Sequence, residues 1–387
     1  MKQFSFEMPT FLIDCAEAMH DALEQISKAR EIALDTESNS LYVYQERTCV
    51  IQICTGRKIY LFDPVRLKEM AGLNSITSNP KIVKYIHGAD YDVGGLKRDF
   101  RLEFNNIFDT MIAAQFLNFE KIGMADLVEH FEGVHLEKKF TKSNWGARPI
   151  SMHQMVYLCQ DVQFLIPVAR KLRDQLKRDD LMEEAEIEFR RLEKRLPVEM
   201  ARDMHDFWNL KGVRALKPRE QSVAFELYHW RDKRAERINI PPFKVLNNKT
   251  LLDVAEASPR SKKEMLAIKG ITETVLNRCG HDMHRCIQRG LDRRPDRIPE
   301  PKKDNRRRRR SIHWDDQELV DALKKWRMAK GEQRGIHHLA VLPGYALENV
   351  ARAKPQTLAD LRDTPGIGEK RANIYGAEML EIIQKNS

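Results

Sequence analysis

A chain of 387 residues, 42% of them hydrophobic, is long enough for about two to four domains with buried cores. It has no run near the ~18 apolar residues of a membrane helix, no signal-peptide core, and six cysteines without CxxC or zinc spacing, so the expectation is a soluble cytoplasmic protein with reduced cysteines. The net charge of +9 points to an acidic partner, and it is unevenly placed: residues 1–170 carry 19 Lys+Arg against 22 Asp+Glu, the remainder 47 against 35.

Taken in order, Phe11–Ile13 reads as a short strand and Cys15–Lys28 as an amphipathic helix capped by Asp14. Strands follow at Ile32–Glu37, Cys49–Cys54 and Lys58–Phe62, the last two joined by a Thr55-Gly56-Arg57 hairpin turn. A helix is expected over Arg66–Ser75, then a buried strand at Ile82–Ile86 and a helix through Asp92 and Leu96. Ile107–Phe108 leads into a helix capped by Asp109, and Gln154–Leu172 and Asp180–Arg195 are the clearest helical segments beyond it. Antiparallel strands first and α/β alternation afterwards imply a mixed sheet flanked by helices.

Beyond Pro218 the pattern is all helix and loop, and it repeats. A shift of 96 residues pairs Trp230-Arg231 with Trp326-Arg327, Val254-Ala255 with Val350-Ala351, and Gly270-Ile271 with Gly366-Ile367. Two copies of one helical module follow. Between them, residues 293–310 carry ten Lys+Arg against three acids and no apolar periodicity, the composition of a solvated linker. Its run Arg306, Arg307, Arg308, Arg309 and Arg310 also suits binding to a phosphate backbone without reading sequence. The expected domains are therefore 1–200, 212–292 and 312–387, with a basic linker over 293–311.

The stretch EIALDTESN, Glu31–Asn39, ends its strand with Asp35 and Glu37 on one face. Two converging acids call for a cation, usually a divalent metal. A lone Asp-x-Glu also recurs by chance as a solvated strand end. Holding two ions usually takes four carboxylates. Tyr157 and Asp161, four apart, share a helix face that would otherwise simply meet water. In KYIHGADYDVGGL, Asp90 and Asp92 are both first-turn helix acids, and only one need face Asp35.

Asp35-x-Glu37, His87-x-Ala89-x-x-Asp92 and Tyr157-x-x-x-Asp161 resemble the three motifs of the DEDD 3′–5′ exonuclease superfamily, in its tyrosine subgroup. Trp145-x-x-Arg148-Pro149-Ile150 is similar to the Trp-x-x-Arg-Pro-Leu stretch of the ribonuclease D family, and Asp109-Thr110 to that family's helix start. The repeated module resembles the HRDC domain, and an exonuclease domain with two such modules is the ribonuclease D layout. The resemblance implies an RNase H-like α/β exonuclease fold followed by two all-α bundles. It also implies a 3′–5′ exoribonuclease in which Asp35, Glu37, Asp92 and Asp161 hold two Mg²⁺ or Mn²⁺ ions while Tyr157 orients the water or the scissile phosphate.

The His-x-Ala-x-x-Asp spacing selects Asp92 and leaves Asp90 exposed, since the two lie about 200° apart on a helix. The implied partner is RNA with a free 3′ end, tRNA precursors among them, without membrane or obligate protein partner. Trp145 and Arg148 are candidate contacts to the terminal nucleotides or packing residues. The turn Pro365-Gly366-Ile367-Gly368 is a candidate phosphate-binding hairpin through Gly366 and Gly368, whereas the first module has Thr272 at the second glycine's place. The alternatives are a 3′–5′ exonuclease acting on DNA, since the acids see only phosphate, and a non-catalytic nucleic-acid scaffold, against which the full set of four acids and the tyrosine weighs.

Overall fold

The structure, a computed structural model, describes residues 2–5, 7–67, 69–136, 139–197, 204–295, 298–299 and 314–386. Seven strands form one mixed sheet in the order β1-β2-β5-β4-β3-β6-β7. They are β1 (Lys2–Ser5), β2 (Pro9–Ile13), β3 (Glu31–Ser38), β4 (Thr48–Cys54), β5 (Ile59–Phe62), β6 (Val83–Ile86) and β7 (Ile107–Asp109). β3 pairs antiparallel with β4 and parallel with β6, and every residue of central β4 is buried. β1, antiparallel to β2, is the strand that the apolar patterning did not announce.

Alternation along β3 divides the core. Ile32 and Leu34 enter an apolar layer with the Ala16–Ile26 and Asp90–Phe100 helices. Ala33 enters the opposite layer with Met155, Leu158, Cys159 and Val162 of the Met152–Gln163 helix. Each such aliphatic side chain contributes about 1.5–3 kcal/mol on burial. The same alternation directs Asp35 and Glu37 toward the Met152–Gln163 helix.

Three local expectations are corrected. Helix Ala16–Ile26 has Cys15 at its N-cap with no side-chain capping bond, and Asp14 instead pairs with Arg66 at 2.8 Å. Arg66–Ser75 is not one helix: short turns span Pro64–Leu67, Ala71–Leu73 and Asn74–Thr77. Gly72 disfavours a continuous helix there, and its bare Cα lets Leu23 and Met19 approach. Gln154–Leu172 is broken at Phe164 into Met152–Gln163 and Leu165–Arg178. Pro167 supplies no N–H to the Gln163 carbonyl and its ring crowds that group.

The two helical modules repeat at the level of single bonds. Arg231 Nη1 donates to Leu246 O at 2.9 Å, and Arg327 Nη1 to Leu342 O at 3.0 Å. Left-handed residues recur at Ser258 and Lys354, and at Gly270 and Gly366. Gly366 must be glycine: a Cβ there would stand 2.6 Å from Ala346 Cβ.

Compactness divides the chain differently from its linear order. One unit comprises 1–38, 47–198 and 309–387, so the second module packs on the α/β domain. Within it Ile336, Leu339 and Ala340 join the apolar layer of the Met152–Gln163 helix. Tyr345 donates to Glu188 Oε1 at 2.7 Å, and Lys370 Nζ lies 3.1 Å from Glu184 Oε2, both acids on the Met182–Glu193 helix. The other unit comprises 39–46 and 199–308, where Tyr44 donates to Asp232 Oδ2 at 2.7 Å.

Candidate active site

Five expected residues meet at the end of β3. Asp35 and Glu37 come from the strand, Asp92 from the first turn of Asp90–Phe100, and Tyr157 and Asp161 from Met152–Gln163. Local chemistry sets each approach. A Ser151–Gln154 capping box starts the Tyr157 helix. Asp109 caps its own helix through the N–H groups of Met111 and Ile112 and also accepts from Gly88 at 3.2 Å and Ala89 at 2.7 Å. That double cap fixes the bend after β6, where Gly88 takes φ 71°. His87 packs locally, its Nδ1 3.0 Å from Thr110 Oγ1. Asp92 is 8% exposed, whereas the Asp90 side chain is 54% exposed and pairs with Arg195 at 3.1 Å.

The four acids act on one another. Burial raises Asp35 to about 8, and the Asp161 charge adds to this. Burial raises Glu37 to about 10, helped by Asp35, Asp161 and Asp92. Asp92 is held at about 8 by burial and Asp35, and Asp161 at about 7 by burial, offset in part by its hydrogen bond with Tyr157. Burial first, and the acids next, push the Tyr157 phenol above its usual range. Asp35, Glu37, Tyr157 and Asp161 are only half-buried, so this recess opens to solvent. No Lys or Arg is among the groups that shift any of the four acids.

Among the described residues, no group of three or more His, Cys, Asp or Glu side chains is placed to hold a metal ion. Asp92 Oδ1 accepts from Thr36 Oγ1, and Asp161 takes the Tyr157 hydroxyl. The donor set still fits hard divalent ions: four mutually repelling carboxyls share one recess, and the buried Asp161 Oδ2 has no hydrogen-bond partner.

The other sequence candidates divide. Trp145 is 1% exposed and stacks on Tyr157 with centroids 5.8 Å apart, so it supports the site ring from beneath. Arg148 commits its guanidinium to Asp63 and to the carbonyls of Trp145, Ala147 and Cys49. Both therefore make the packing contacts that the sequence offered as the alternative to a nucleotide contact. Gly366 and Gly368 take left-handed φ as a tight turn requires. That turn packs on the same chain: a Cβ at Gly368 would stand 2.8 Å from Ile187 Cδ1, and the Lys370 N–H donates to Glu183 Oε1. Arg306, Arg307, Arg308, Arg309 and Arg310 lie outside the described residues.

Two residues escaped sequence reasoning. Thr36 points to the other face of β3 from Asp35 and Glu37, and its hydroxyl reaches Asp92. Gln52 stands directly across from Asp35 in the β3–β4 register, fully buried, with neither end of its amide bonded. Its signal was a lone amide within the apolar strand TCVIQIC.

A 3′–5′ exonuclease family profile matches residues 10–177, and an HRDC domain profile matches 220–287 and 316–383. The two HRDC matches stand 96 residues apart, the shift read from the repeat. The exosome complex component 10 homolog of Drosophila melanogaster is 28% identical over 296 residues, covering 74% of this chain and 33% of the relative. Ribonuclease D of Cronobacter turicensis is 27% identical over 296 residues, covering 75% of this chain and 78% of the relative. The chain spans about a third of the length of the first curated relatives it matches. The solved structure of Escherichia coli ribonuclease D, described as an exoribonuclease involved in structured RNA processing, superposes with TM-score 0.67 at 22% identity. It covers 98% of this chain and 99% of its own, and it shares the fold.

The chain thus combines a 3′–5′ exonuclease domain with two HRDC domains. In that combination it is similar to ribonuclease D and to the exosome exonuclease Rrp6 of Saccharomyces cerevisiae. Among the described residues no helix is long and apolar enough to cross a membrane.

Proposed function

We propose that this chain is a metal-dependent 3′–5′ exoribonuclease that shortens RNA from a free 3′ end and releases nucleoside 5′-monophosphates. One observation carries the reading: Asp35, Glu37, Asp92 and Asp161 share a solvent-open recess where burial raises all four carboxyls, neighbouring acids add to the first three, and no Lys or Arg among the described residues offsets them. Two divalent ions, Mg²⁺ or Mn²⁺, held by these four acids would supply Lewis acidity to the attacking water and to the leaving 3′ oxygen. Tyr157 keeps its proton at neutral pH, because its raised pKa rules out a phenolate base. Its hydroxyl donates, first to Asp161 and in turnover to the water or the scissile phosphate. Trp145 beneath the ring limits its tilt.

Structured RNAs with 3′ extensions, tRNA precursors among them, are the proposed substrates, and the six free cysteines suit the cytoplasm. Several relatives are exosome complex components by name, so independence from protein partners forms no part of the proposal. The test is tRNA with an extended 3′ tail, labelled at either end and incubated with and without Mg²⁺, beside a matched DNA. Loss of the 3′ label as monophosphates, only with metal and faster on RNA, is expected. Loss from the 5′ end, or equal loss in chelator, overturns it.

A further inference from the structure

The two HRDC copies differ at one place where the second serves as a control for the first. In the second, Leu358 lies across Gly376: a Cβ there would stand 2.3 Å from Leu358 Cδ2. Ninety-six positions earlier the pair is Lys262 and Gly280. Lys262 turns its ammonium to Glu273 at 2.7 Å, and a Cβ at Gly280 would meet only Leu276 of its own helix, at 3.3 Å or more. Ala377 and Leu380 of the second copy are His281 and His284 in the first. A cavity of about 260 Å³ opens where the leucine would lie. Its floor is Met265 and Leu276, both part of the module's core, and Arg260, Lys262, His281 and His284 surround it.

We infer that this cavity of the first module is a binding site for one nucleotide of single-stranded RNA. The apolar floor accepts the face of a base, the two imidazoles flank it, and Arg260 and Lys262 meet its phosphate. No carboxylate lines the cavity. The nearest capping acid, Glu264, is already engaged by the Arg260 N–H at 2.8 Å and the Ser261 hydroxyl at 3.0 Å. The Lys262–Glu273 pair is exposed on both sides, so exchanging Glu273 for a phosphate costs little. An apolar side chain from a protein partner would fill the floor but make no use of Arg260, His281 and His284 around it.

The inference rests on the exoribonuclease reading for its ligand, and its test is kept separate from cleavage. The full chain, in chelator so that nothing is cut, is titrated with a single-stranded RNA of about 12 nucleotides and followed by fluorescence anisotropy. Lys262→Leu, which rebuilds the second copy's lid, and the double variant His281→Ala/His284→Ala should each weaken binding about tenfold. Arg260→Ala should do the same and make the affinity fall less steeply with salt. RNA carrying 4-thiouridine should cross-link to the peptide spanning 260–284 in the parent and not in Lys262→Leu. Metal-dependent hydrolysis of a dinucleotide, too short to occupy two sites, should be unchanged in all variants. Unchanged RNA affinity in Lys262→Leu and in the double-histidine variant overturns the site. Failure of the parent to hydrolyse the dinucleotide would count against the exonuclease reading and leave the binding result standing.

Discussion

Arg148 grips Asp63 with two donors, Nε to Oδ2 at 2.6 Å and Nη2 to Oδ1 at 2.7 Å. Asp63 is 1% exposed at the end of β5, and Arg148 also donates to Trp145 O at 2.6 Å. The pair thus ties the sheet to the loop whose Trp145 lies under Tyr157. Arg148→Ala strands a buried carboxylate, although the Val65 and Arg66 N–H groups still reach it. The expected cost is about 3 kcal/mol, the low end for breaking a buried pair. Thermal unfolding reads that loss. Kinetics should show kcat falling with KM for RNA unchanged, and Arg148→Lys, which keeps the charge without the fork, should fall between. A raised KM at unaltered stability would restore the RNA-contact reading.

The acid cluster makes stability depend on pH and metal together. A carboxyl whose folded pKa lies above its unfolded value binds protons more tightly when folded, so stability falls as pH rises between the two. For Asp161 at about 7, Asp35 and Asp92 at about 8, and Glu37 at about 10, the loss accumulates from roughly pH 4 to those values. Divalent metal should reverse it, because the ions favour the ionised forms. The melting temperature in chelator should drop from pH 5 to pH 8, and Mn²⁺ or Mg²⁺ should raise it more at pH 8 than at pH 5. Asp35→Asn should flatten the chelator profile. A metal effect independent of pH would detach the ions from these four acids.

What the sequence disclosed and what it hid have physical reasons. Periodicity put Asp35, Glu37, Asp92 and Asp161 at a strand end and on helix turns, and the resemblance of three spaced motifs is what singled them out as a set. A helix turns Asp90 and Asp92 to opposite sides, and the resembled His-x-Ala-x-x-Asp spacing selected Asp92. The module repeat was legible because one register survives for a whole copy. Docking of the second module was not, since Tyr345, Lys370, Glu184 and Glu188 are each ordinary surface types until they meet. The break at Phe164 was written in Pro167 but masked by an apolar period running through both helices. Gln52 was hidden because cross-strand register, not strand pattern, brings it opposite Asp35.

Lys370 anchors the second module. Its ammonium lies 3.1 Å from Glu184 Oε2 and 2.9 Å from Asp180 Oδ1, and Glu184 is 1% exposed. Lys370→Met leaves Glu184 buried without its cation and should destabilise this unit by about 3 kcal/mol. Lys370→Met with Glu184→Gln should recover much of that, because the pair carries a desolvation cost of its own. Limited proteolysis and thermal unfolding distinguish the two. Equal losses in the single and double variants would mean that Lys370 serves the fold through Asp180 instead.

Asp161→Asn isolates charge from shape. Asparagine keeps the volume, and its carbonyl still accepts the Tyr157 hydroxyl, while the unbonded Oδ2 is replaced by an amide that metal ions do not take. Removing one of four repelling charges should raise the melting temperature in chelator at pH 8. Activity should fall on the order of a thousandfold, the scale set by losing several kcal/mol of metal-borne charge stabilisation. RNA affinity in chelator should stay within about twofold, since the cluster repels phosphate when no metal is bound. Asp90→Asn is the matched control: it lies on the same helix as Asp92 but turns to solvent, and its pair with Arg195 contributes about 0–1 kcal/mol. Activity surviving Asp161→Asn, or lost in Asp90→Asn, would move the metal-binding set off the Tyr157 helix and onto the other acid of the Asp90–Phe100 first turn.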